Sequence, residues 1–431
     1  MEKSTISMAL KKYTMVIALV VVFILFIIGT RDRNASNFLE GLGNASILFP
    51  QNITNLLSQN TYAFVLGTGM LLCILTGGNI DLAVGSVLCF AAAVGSYMMN
   101  KGLNSFVAVL VMILVGLLVG IWQGFWIAYV KVPPFIATLS GMYAFRGLAN
   151  VVLNGMDINL KSKTAFINLF GGGADCYIKD FVGPTEEMLA SKDGASILEM
   201  YNAGQVLDAG RAGHFNYLCL IVGALAILVY IAIVARGRRN AIKRGYETTP
   251  IVSEVIKTAL ICLVIVFLTW KLANYKGIPT SFIWVLLVVL VYGYITTRTR
   301  IGRHLYAVGG NAKAAGLSGI NTKFVYFFAY INMGLLTGLA GALVAARLTK
   351  VTPKIGEGYE MDAIGACFIG GASAYGGIGT VPGVVIGALL TGIINQGMSL
   401  MSIEVNWQKV AKGVVLLAAV IFDVVSKNEK K

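Results

Sequence analysis

Charged side chains are scarce in this sequence: they make up 13% of its 431 residues, whereas soluble domains carry about 25%. Apolar residues make up 57%. This composition leaves too little polar surface to cover a water-soluble globule, which excludes that class of protein. A lipid-facing chain is the alternative, because a hydrocarbon core about 30 Å thick needs roughly 20 apolar residues in each helical crossing.

Groups that carry chemistry are also few. The only histidines are His214 and His304, and the six cysteines include no C-x-x-C pair, so a metal site has few ligands to draw on. The serine-hydrolase elbow G-x-S-x-G and the zinc motif H-E-x-x-H are both missing. We therefore expect no catalytic residues, no metal and no cofactor in this chain.

The phosphate-binding motif G-x-x-x-x-G-K-[ST] is missing as well. If ATP drives this protein, the nucleotide and its Mg²⁺ must therefore bind to a separate subunit.

Long apolar runs are what the sequence does contain. They predict an all-α integral membrane protein with about twelve transmembrane helices. The predicted spans are 13–30, 56–76, 81–98, 104–130, 134–153, 216–235, 257–274, 282–296, 324–346, 361–372, 381–400 and 407–425.

The net charge of +14 follows this topology. Basic residues concentrate in the short loops 236–244 and 298–303, whereas the long polar segment 154–215 carries five Lys/Arg against eight Asp/Glu. Because cytoplasmic loops are enriched in Lys and Arg, both termini are predicted to be cytoplasmic. The charge is explained without nucleic acid, and no nucleic-acid partner is expected.

Glycines occur both in the turns between the predicted spans and along the faces of the spans. Tight glycine-rich turns at 77–79 and 370–379 suggest partial or re-entrant spans, because non-helical backbone must line water or protein. Glycines one turn apart indicate close helix packing. These stripes are Gly116/Gly120/Gly124, Gly334/Gly338 and Gly383/Gly387.

Ionisable residues within or near the spans are candidates for a translocation path or its gate. Asp81, after Asn79, either caps a helix or lines an inner gate. Arg146, near the middle of its span, either pairs structurally or contacts substrate. Glu360 and Asp362 fall near a span end, where capping or snorkelling is the alternative to a role in the path.

Another candidate stretch follows the Pro133-Pro134 pair, which reads first as a rigid helix start. Phe135 directly follows this pair, and only secondarily would the hydroxyls of Thr138 and Ser140 on the same helix be offered to a passing solute.

The segment 309–321 is short, rich in small residues and flanked by long spans. It could form a short helix along the membrane surface that docks in a groove of another subunit, or it could be an ordinary connector. The residues alone leave both alternatives open.

Several motifs resemble those of one known family. GGNAKAAGLSGIN at 309–321 closely resembles the coupling loop of permeases from ribose, xylose and galactose-class sugar ABC importers. GNIDLAVG at 78–85, PFIATL at 134–139 and GYEMDAI at 358–364 are similar to further motifs of that family, as is the glycine-rich run 370–380. The length of 156–281 looks most like the xylose or multiple-monosaccharide branch.

This resemblance implies a ten-helix permease core with an inserted two-helix hairpin. Residues 1–155 and 282–431 would form the two halves of the core. Residues 156–281 would be an insertion with a polar extracytoplasmic loop (156–215) and a helical hairpin (216–281). Implied partners are an ABC ATPase subunit, an extracytoplasmic sugar-binding protein, a second permease copy, a monosaccharide substrate and the lipid bilayer.

The resemblance also carries over to individual residues. The residues expected to couple to the ATPase are Asn311, Ala312, Ala315, Gly316, Ser318 and Gly319. Gly371 and Gly377 join Asn79, Asp81, Phe135, Thr138, Arg146, Glu360 and Asp362 as candidates for the path or gate.

Two functions remain open at this point. The first is a permease subunit in the bacterial cytoplasmic membrane that imports a monosaccharide by alternating access, driven by a separate ATPase. The second is an ion-coupled secondary transporter or channel that needs no ATPase, which would require an ion or proton site at mid-membrane.

Overall fold

The computed structural model describes residues 2–171, 176–178, 180, 196–197, 199, 215–246 and 250–428. Two compact units form within it. The core unit comprises residues 1–47, 56–176 and 280–431, and the hairpin unit comprises residues 48–55 and 177–279. Most of the predicted polar loop at 156–215 lies outside the described residues.

The described chain is almost entirely helical. In its first half, the helices are α1 (Glu2–Gly29), α2 (Phe38–Gly43), α3 (Pro50–Gln59), α4 (Thr61–Leu75), α5 (Val84–Asn100), α6 (Ser105–Phe125), α7 (Pro134–Leu153) and α8 (Thr164–Phe170). In its second half, they are α9 (Tyr217–Lys243), α10 (Ile251–Ala273), α11 (Thr280–Arg298), α12 (Arg300–Gly310), α13 (Ala312–Leu317), α14 (Thr322–Leu348), α15 (Tyr359–Ile369), α16 (Val381–Leu400) and α17 (Val405–Asn428). A five-residue π-helix, Trp126–Val130, extends α6.

One small sheet joins two parts of the core unit that are far apart in sequence. Strand β1 (Ile158–Asn159) pairs antiparallel with β2 (Lys350–Val351). Ile158 lies opposite Val351, and Asn159 lies opposite Lys350.

Eight helical stretches of the described chain are long and apolar enough to cross a membrane. They are Pro50–Leu75, Ser105–Val130, Pro134–Leu153, Tyr217–Lys243, Ser253–Ala273, Thr280–Arg298, Thr322–Leu348 and Val381–Leu400. Two shorter apolar helices, Met15–Gly29 and Val84–Asn100, match two further predicted spans. An all-α membrane architecture is therefore confirmed, whereas the count of twelve spans and the side of the termini stay predictions.

Helix α15 lies close to the short span predicted at 361–372. It has only 11 residues, which at 1.5 Å per residue reach about 16 Å, or half of a hydrocarbon core. A turn-rich segment at 352–358 precedes it, and a glycine-rich loop at 370–380 follows it.

Helix α14 is the centre of the core unit. It packs against α4, α5 and α6, and 72% of its span is buried. The predicted glycine stripes are confirmed as sites of close packing: a Cβ on Gly116 would lie 2.3 Å from the backbone oxygen of Gly334, and a Cβ on Gly387 would lie 2.0 Å from that of Ala366. Small residues at these positions let the helix backbones touch.

The hairpin unit is built from α9 and α10, which pack antiparallel. Gly223 lies against Thr269, and Arg238 forms an ion pair with Glu254. Only 11% of the α9 span and 6% of the α10 span are buried. Both helices therefore present apolar side chains outward, as lipid-facing helices do.

Candidate functional site

Two interruptions of the helices meet inside the core unit. The first break, residues 76–83, separates α4 from α5, and the second break, residues 352–358, precedes α15. At their meeting point a Cβ on Gly85 would lie 2.1 Å from the backbone oxygen of Gly356. Gly85 is the second residue of α5, about 22 Å along the helix axis from Asn100. The second break therefore runs deep along α5 as non-helical backbone.

Asp81 and Asn79 lie in the first break. The buried carboxylate of Asp81 accepts a hydrogen bond of 2.9 Å from the backbone N–H of Ala83, directly before α5. Asn79 donates to the hydroxyl of Thr76 at 3.2 Å. Both side chains thus help to hold the non-helical backbone in the turn that starts α5.

Arg146 holds the second break. From α7, its Nη1 donates to the backbone oxygen of Ile355 at 2.7 Å and to that of Pro353 at 3.2 Å. A cation paired with backbone carbonyls is a common arrangement for a charge inside a membrane bundle. In this conformation the guanidinium supplies donors to carbonyls that no helix satisfies.

An ion pair lies at the start of α15. Lys412 Nζ from α17 lies 2.8 Å from Oδ1 of Asp362, whose side chain is 3% exposed. The hydroxyl of Tyr62 donates to Oδ2 of Asp362 at 2.7 Å, and the ring of Tyr62 stacks on Tyr359 with centroids 3.8 Å apart. This cluster ties α4, α15 and α17 together.

Glu360 lies at the meeting point of the two breaks. Its Oε2 would be 2.7 Å from a Cβ on Gly85, so a carboxylate lies beside the start of α5. Negative charge is favourable there, because helix N-termini carry partial positive charge.

The glycine-rich loop after α15 touches the helix that leads to the predicted coupling segment. We call this contact the glycine junction and define it as Gly309, Gly377 and the carbonyl of Leu75. The N–H of Gly377 donates to Leu75 O at 3.1 Å. A Cβ on Gly309 would lie 1.8 Å from Leu75 O and 2.4 Å from Gly377 N, so no larger residue fits there without movement.

Tyr306 adds a side-chain link beside the glycine junction. Its hydroxyl donates to Gly379 O at 2.8 Å. Burial raises the pKa of Tyr306, which keeps this donor protonated. Gly371, at the other end of the loop, adopts φ +80° and lies against Met15.

The coupling segment folds into a short helix, α13, whose two ends are both capped by residues of the segment itself. The side chain of Asn311 accepts from the N–H of Ala314 at 3.0 Å and caps α13. At the other end, Ile320 N–H donates to Ala315 O and Gly319 N–H donates to Gly316 O, with Gly319 at φ +83°. This is the Schellman arrangement, which favours glycine at the left-handed position.

The predicted coupling residues lie on two sides of this helix. Ala315 is buried and Ala312 is half-buried, whereas Asn311, Gly316, Ser318 and Gly319 are exposed. Beside them Leu317 is 91% exposed, which is unusual for a large apolar side chain.

The remaining predicted path residues, Phe135 and Thr138, lie near the start of α7. Phe135 is exposed at the start of α7. Thr138 is buried, and its hydroxyl donates back to the carbonyl of Pro134 at 2.9 Å.

Sequence reasoning did not single out several residues that the structure brings into the site. Tyr62 and Tyr306 lack any distinctive local pattern, whereas Gly309 and Leu317 lie within the motif at 309–321 but were not among the predicted coupling residues. The second break had a readable signal, since Thr352–Gly358 contains Pro353, Gly356 and Gly358 in seven residues. Among the described residues, no group of three or more His, Cys, Asp or Glu could hold a metal ion.

A comparison with protein families gives the site its context. A family model described as branched-chain amino acid transport system, permease component, matches residues 52–172 and 213–420. These ranges include both breaks, the glycine junction and the coupling segment. The chain belongs to this permease family.

Curated relatives of the permease narrow its class. The xylose transport system permease protein XylH of Haemophilus influenzae is 33% identical over 430 residues, covering 99% of this chain and 98% of that protein. XylH of Escherichia coli K12 is 31% identical over 386 residues, covering 89% and 88%. The ribose import permease protein RbsC of Bacillus subtilis is 32% identical over 380 residues, covering 88% and 87%. No solved structure matches the chain.

The prediction of a permease of the xylose and ribose class is thereby confirmed. The permease is a multi-pass protein of the bacterial cytoplasmic membrane and a transport component. The unmatched stretch between the two family ranges, 173–212, falls within the polar loop predicted at 156–215.

Proposed function

We propose that the permease is the membrane subunit of an ATP-driven importer that moves a monosaccharide into the cytoplasm by alternating access. In this proposal a separate ABC ATPase subunit binds ATP and Mg²⁺, and an extracytoplasmic sugar-binding protein delivers the substrate. Two copies of the permease form the membrane part. The names of its relatives make xylose and ribose the first sugars to test.

The observation that carries this proposal is the exposed short helix α13. It is capped at both ends by its own residues, and Leu317 projects from it with 91% of its surface exposed. A preformed element with an apolar tip is what a groove on another subunit can bind at low entropic cost. This favours docking of an ATPase over the alternative of an ordinary connector.

Helix α13 is connected to the helix bundle through α12 and the glycine junction, so a movement of α13 would be transmitted to the bundle. Helix α12 ends at Gly310, directly before the cap residue Asn311, and its Gly309 contacts the glycine junction. Because these contacts are between backbones, a displacement of α13 has no flexible side chain to absorb it. The loop that it would push connects α15 to α16 and touches the turn after α4.

The alternative, an ion-coupled transporter, requires a carboxylate that can bind and release an ion. Two acids are buried in the described core unit, and both are engaged: Asp362 pairs with Lys412 and Tyr62, and Asp81 accepts a hydrogen bond from the N–H of Ala83. Uptake measurements separate the two functions. Cells of the source bacterium in which the gene is deleted should fail to take up labelled xylose or ribose. Restoring the gene should restore this uptake. ATP depletion should stop this uptake, whereas uptake that follows the proton gradient alone would reject the ATPase.

The docking role of α13 gives a sharper test. Leu317→Asp should weaken binding of the ATPase by about 2 kcal/mol, or roughly thirtyfold in affinity, because a buried apolar anchor is replaced by a charge. Gly316→Trp should act in the same way, since a Cβ on Gly316 meets only Thr322 at 3.9 Å and the fold tolerates the addition. The measurement is co-purification of the ATPase with tagged permease, together with sugar uptake.

The matched control is Leu317→Met, which keeps an apolar side chain of similar volume and should retain both activities. Wild-type uptake and normal ATPase recovery in Leu317→Asp and Gly316→Trp would show that α13 is not the docking element.

A further inference from the structure

A half-open cavity of about 680 Å³ lies between the second break, the start of α15 and α17. This volume falls in the range of small-molecule sites, roughly 300–1,000 Å³. Its polar lining comprises Lys354, Glu357, Gln408, Lys409 and Lys412. None of these residues was among the predicted path residues.

The backbone of the second break favours a water-filled space on one of its sides. Residues 352–358 have two faces: Ile355 and Gly356 are buried towards α5, whereas Lys354, Glu357 and Gly358 are exposed and line the cavity. Non-helical backbone at membrane depth is tolerated only against protein or in a water-filled space. Arg146 satisfies the carbonyls on the face of the break that is turned towards protein, and the cavity gives the other face access to water.

The lining has the groups that bind hydroxyls. Lysine donates, glutamate accepts, and glutamine does both, which suits the mixed donor and acceptor pattern of a sugar. Lys412 is held by Asp362, and the Nε2 of Gln408 donates to Ile403 O at 2.9 Å, so both groups have fixed positions. Among the residues that the structure describes, Lys354 and Lys409 form no ion pair.

Secondary transporters often place a substrate at such a point. A half-helix that begins inside the bundle, preceded by unwound backbone, is a recurrent setting for substrate sites. Here the start of α15 forms one wall of a cavity that is lined by several polar side chains.

We propose that this cavity is a transit site where the monosaccharide binds on its way through the permease. The proposal rests on the sugar-import function argued above. Glu357, Gln408 and Lys409 bind its hydroxyls, and Met361 and Leu416 form an apolar wall of the cavity. The binding is weak, because most of the lining groups are solvated and the sugar must leave again.

Gly413 offers a clean way to fill the cavity. It lines the cavity from α17, and a Cβ added to it would meet no atom within 4 Å. Gly413→Phe should therefore leave the fold intact, since a larger residue also favours a helix over glycine. Sugar uptake should fall by about tenfold or more, because the ring occupies the volume needed by the substrate.

The neighbouring residue provides the control. Val414 is 61% exposed and does not line the cavity, so Val414→Phe should transport like the wild type. Uptake, the amount of permease in the membrane and recovery of the ATPase are measured for each variant. Wild-type uptake by Gly413→Phe would overturn the transit site. Absence of sugar uptake by the wild type would instead overturn the proposed function.

A second measurement does not depend on the folding of the Phe variant. Gly413→Cys is folded first and then treated with a sulfonate-bearing methanethiosulfonate reagent, which reacts with thiols in water. We expect modification that blocks uptake and that slows in the presence of the transported sugar. A thiol at this position that stays unmodified, or whose reaction rate ignores the sugar, would contradict the proposal.

Discussion

Arg146 shows how a single charge can make an irregular backbone stable inside a membrane bundle. Its two hydrogen bonds reach carbonyls of Pro353 and Ile355, which lie in the second break. Without these donors, Ile355 O would lose its side-chain partner, and Pro353 O would keep only a weak contact of 3.9 Å with the thiol of Cys89. The residue therefore maintains the unwound segment on which the wall of the cavity depends.

Removing this guanidinium should destabilise the permease. Arg146→Met deletes two charge-assisted hydrogen bonds, each worth about 1.5–3 kcal/mol, and should lower the free energy of unfolding by roughly 3–6 kcal/mol. Thermal unfolding in detergent measures the effect. Arg347→Met is the control, because Arg347 makes an exposed hydrogen bond of 3.3 Å to Gln59 O and should matter little. Equal melting of both variants would count against the role of Arg146.

At the scale of elements, the glycine junction joins three parts of the chain that are far apart in sequence. The end of α4, the end of α12 and the loop after α15 meet there with their backbones in contact. Two adjacent glycines differ sharply in this setting. Gly309 faces Leu75 O, whereas a Cβ on Gly310 would meet nothing within 4 Å.

This difference makes a matched pair of variants. Gly309→Ala should separate α12 from the loop, reduce sugar uptake and cost about 1–3 kcal/mol of stability through overpacking. Gly310→Ala adds the same methyl group to the same helix and should be neutral. Uptake assays and thermal unfolding of the two variants give the comparison, and indistinguishable variants would disprove the tight contact.

The coupling segment and the first break could be predicted from the sequence because their signals are local. Asn311 before a run of alanines and Gly319 after it are helix cap signals. Two adjacent glycines predict the turn at 77–79. The short apolar run at 361–372 predicted a span of 12 residues next to a glycine-rich turn, and α15 forms there with 11 residues between Gly358 and Gly370.

Other parts of the site could not be predicted because they depend on contacts between distant residues. Tyr62 and Asp362 are 300 positions apart, and Lys412 reaches Asp362 from another helix. No local pattern encodes these pairings. The cavity is likewise formed only when α17 packs beside the second break.

At the scale of the whole molecule, the proposal requires that α13 lies on the cytoplasmic side of the membrane. The basic residues Arg298, Arg300 and Arg303 flank the start of α12 and predict this side. Met156, which follows α7, is predicted on the opposite side and is 63% exposed.

Cysteine labelling tests this orientation. In a Cys262→Ser background, Leu317→Cys should react with a membrane-impermeant maleimide only in inside-out vesicles, and Met156→Cys only in right-side-out vesicles. The other five native cysteines are buried and should contribute little. The reverse pattern would place α13 outside and remove the basis for ATPase docking.

The self-capped design of α13 has a consequence for how such importers diversify. Because Asn311 and Gly319 fix its shape locally, the helix keeps its form whatever happens to the lining of the cavity. If Glu357 and Gln408 bind the sugar and α13 docks the ATPase as proposed, mutations of these two residues can change sugar preference without altering the surface that the ATPase recognises. One ATPase could then serve several permeases with different sugar preferences, provided that each has the same exposed helix α13.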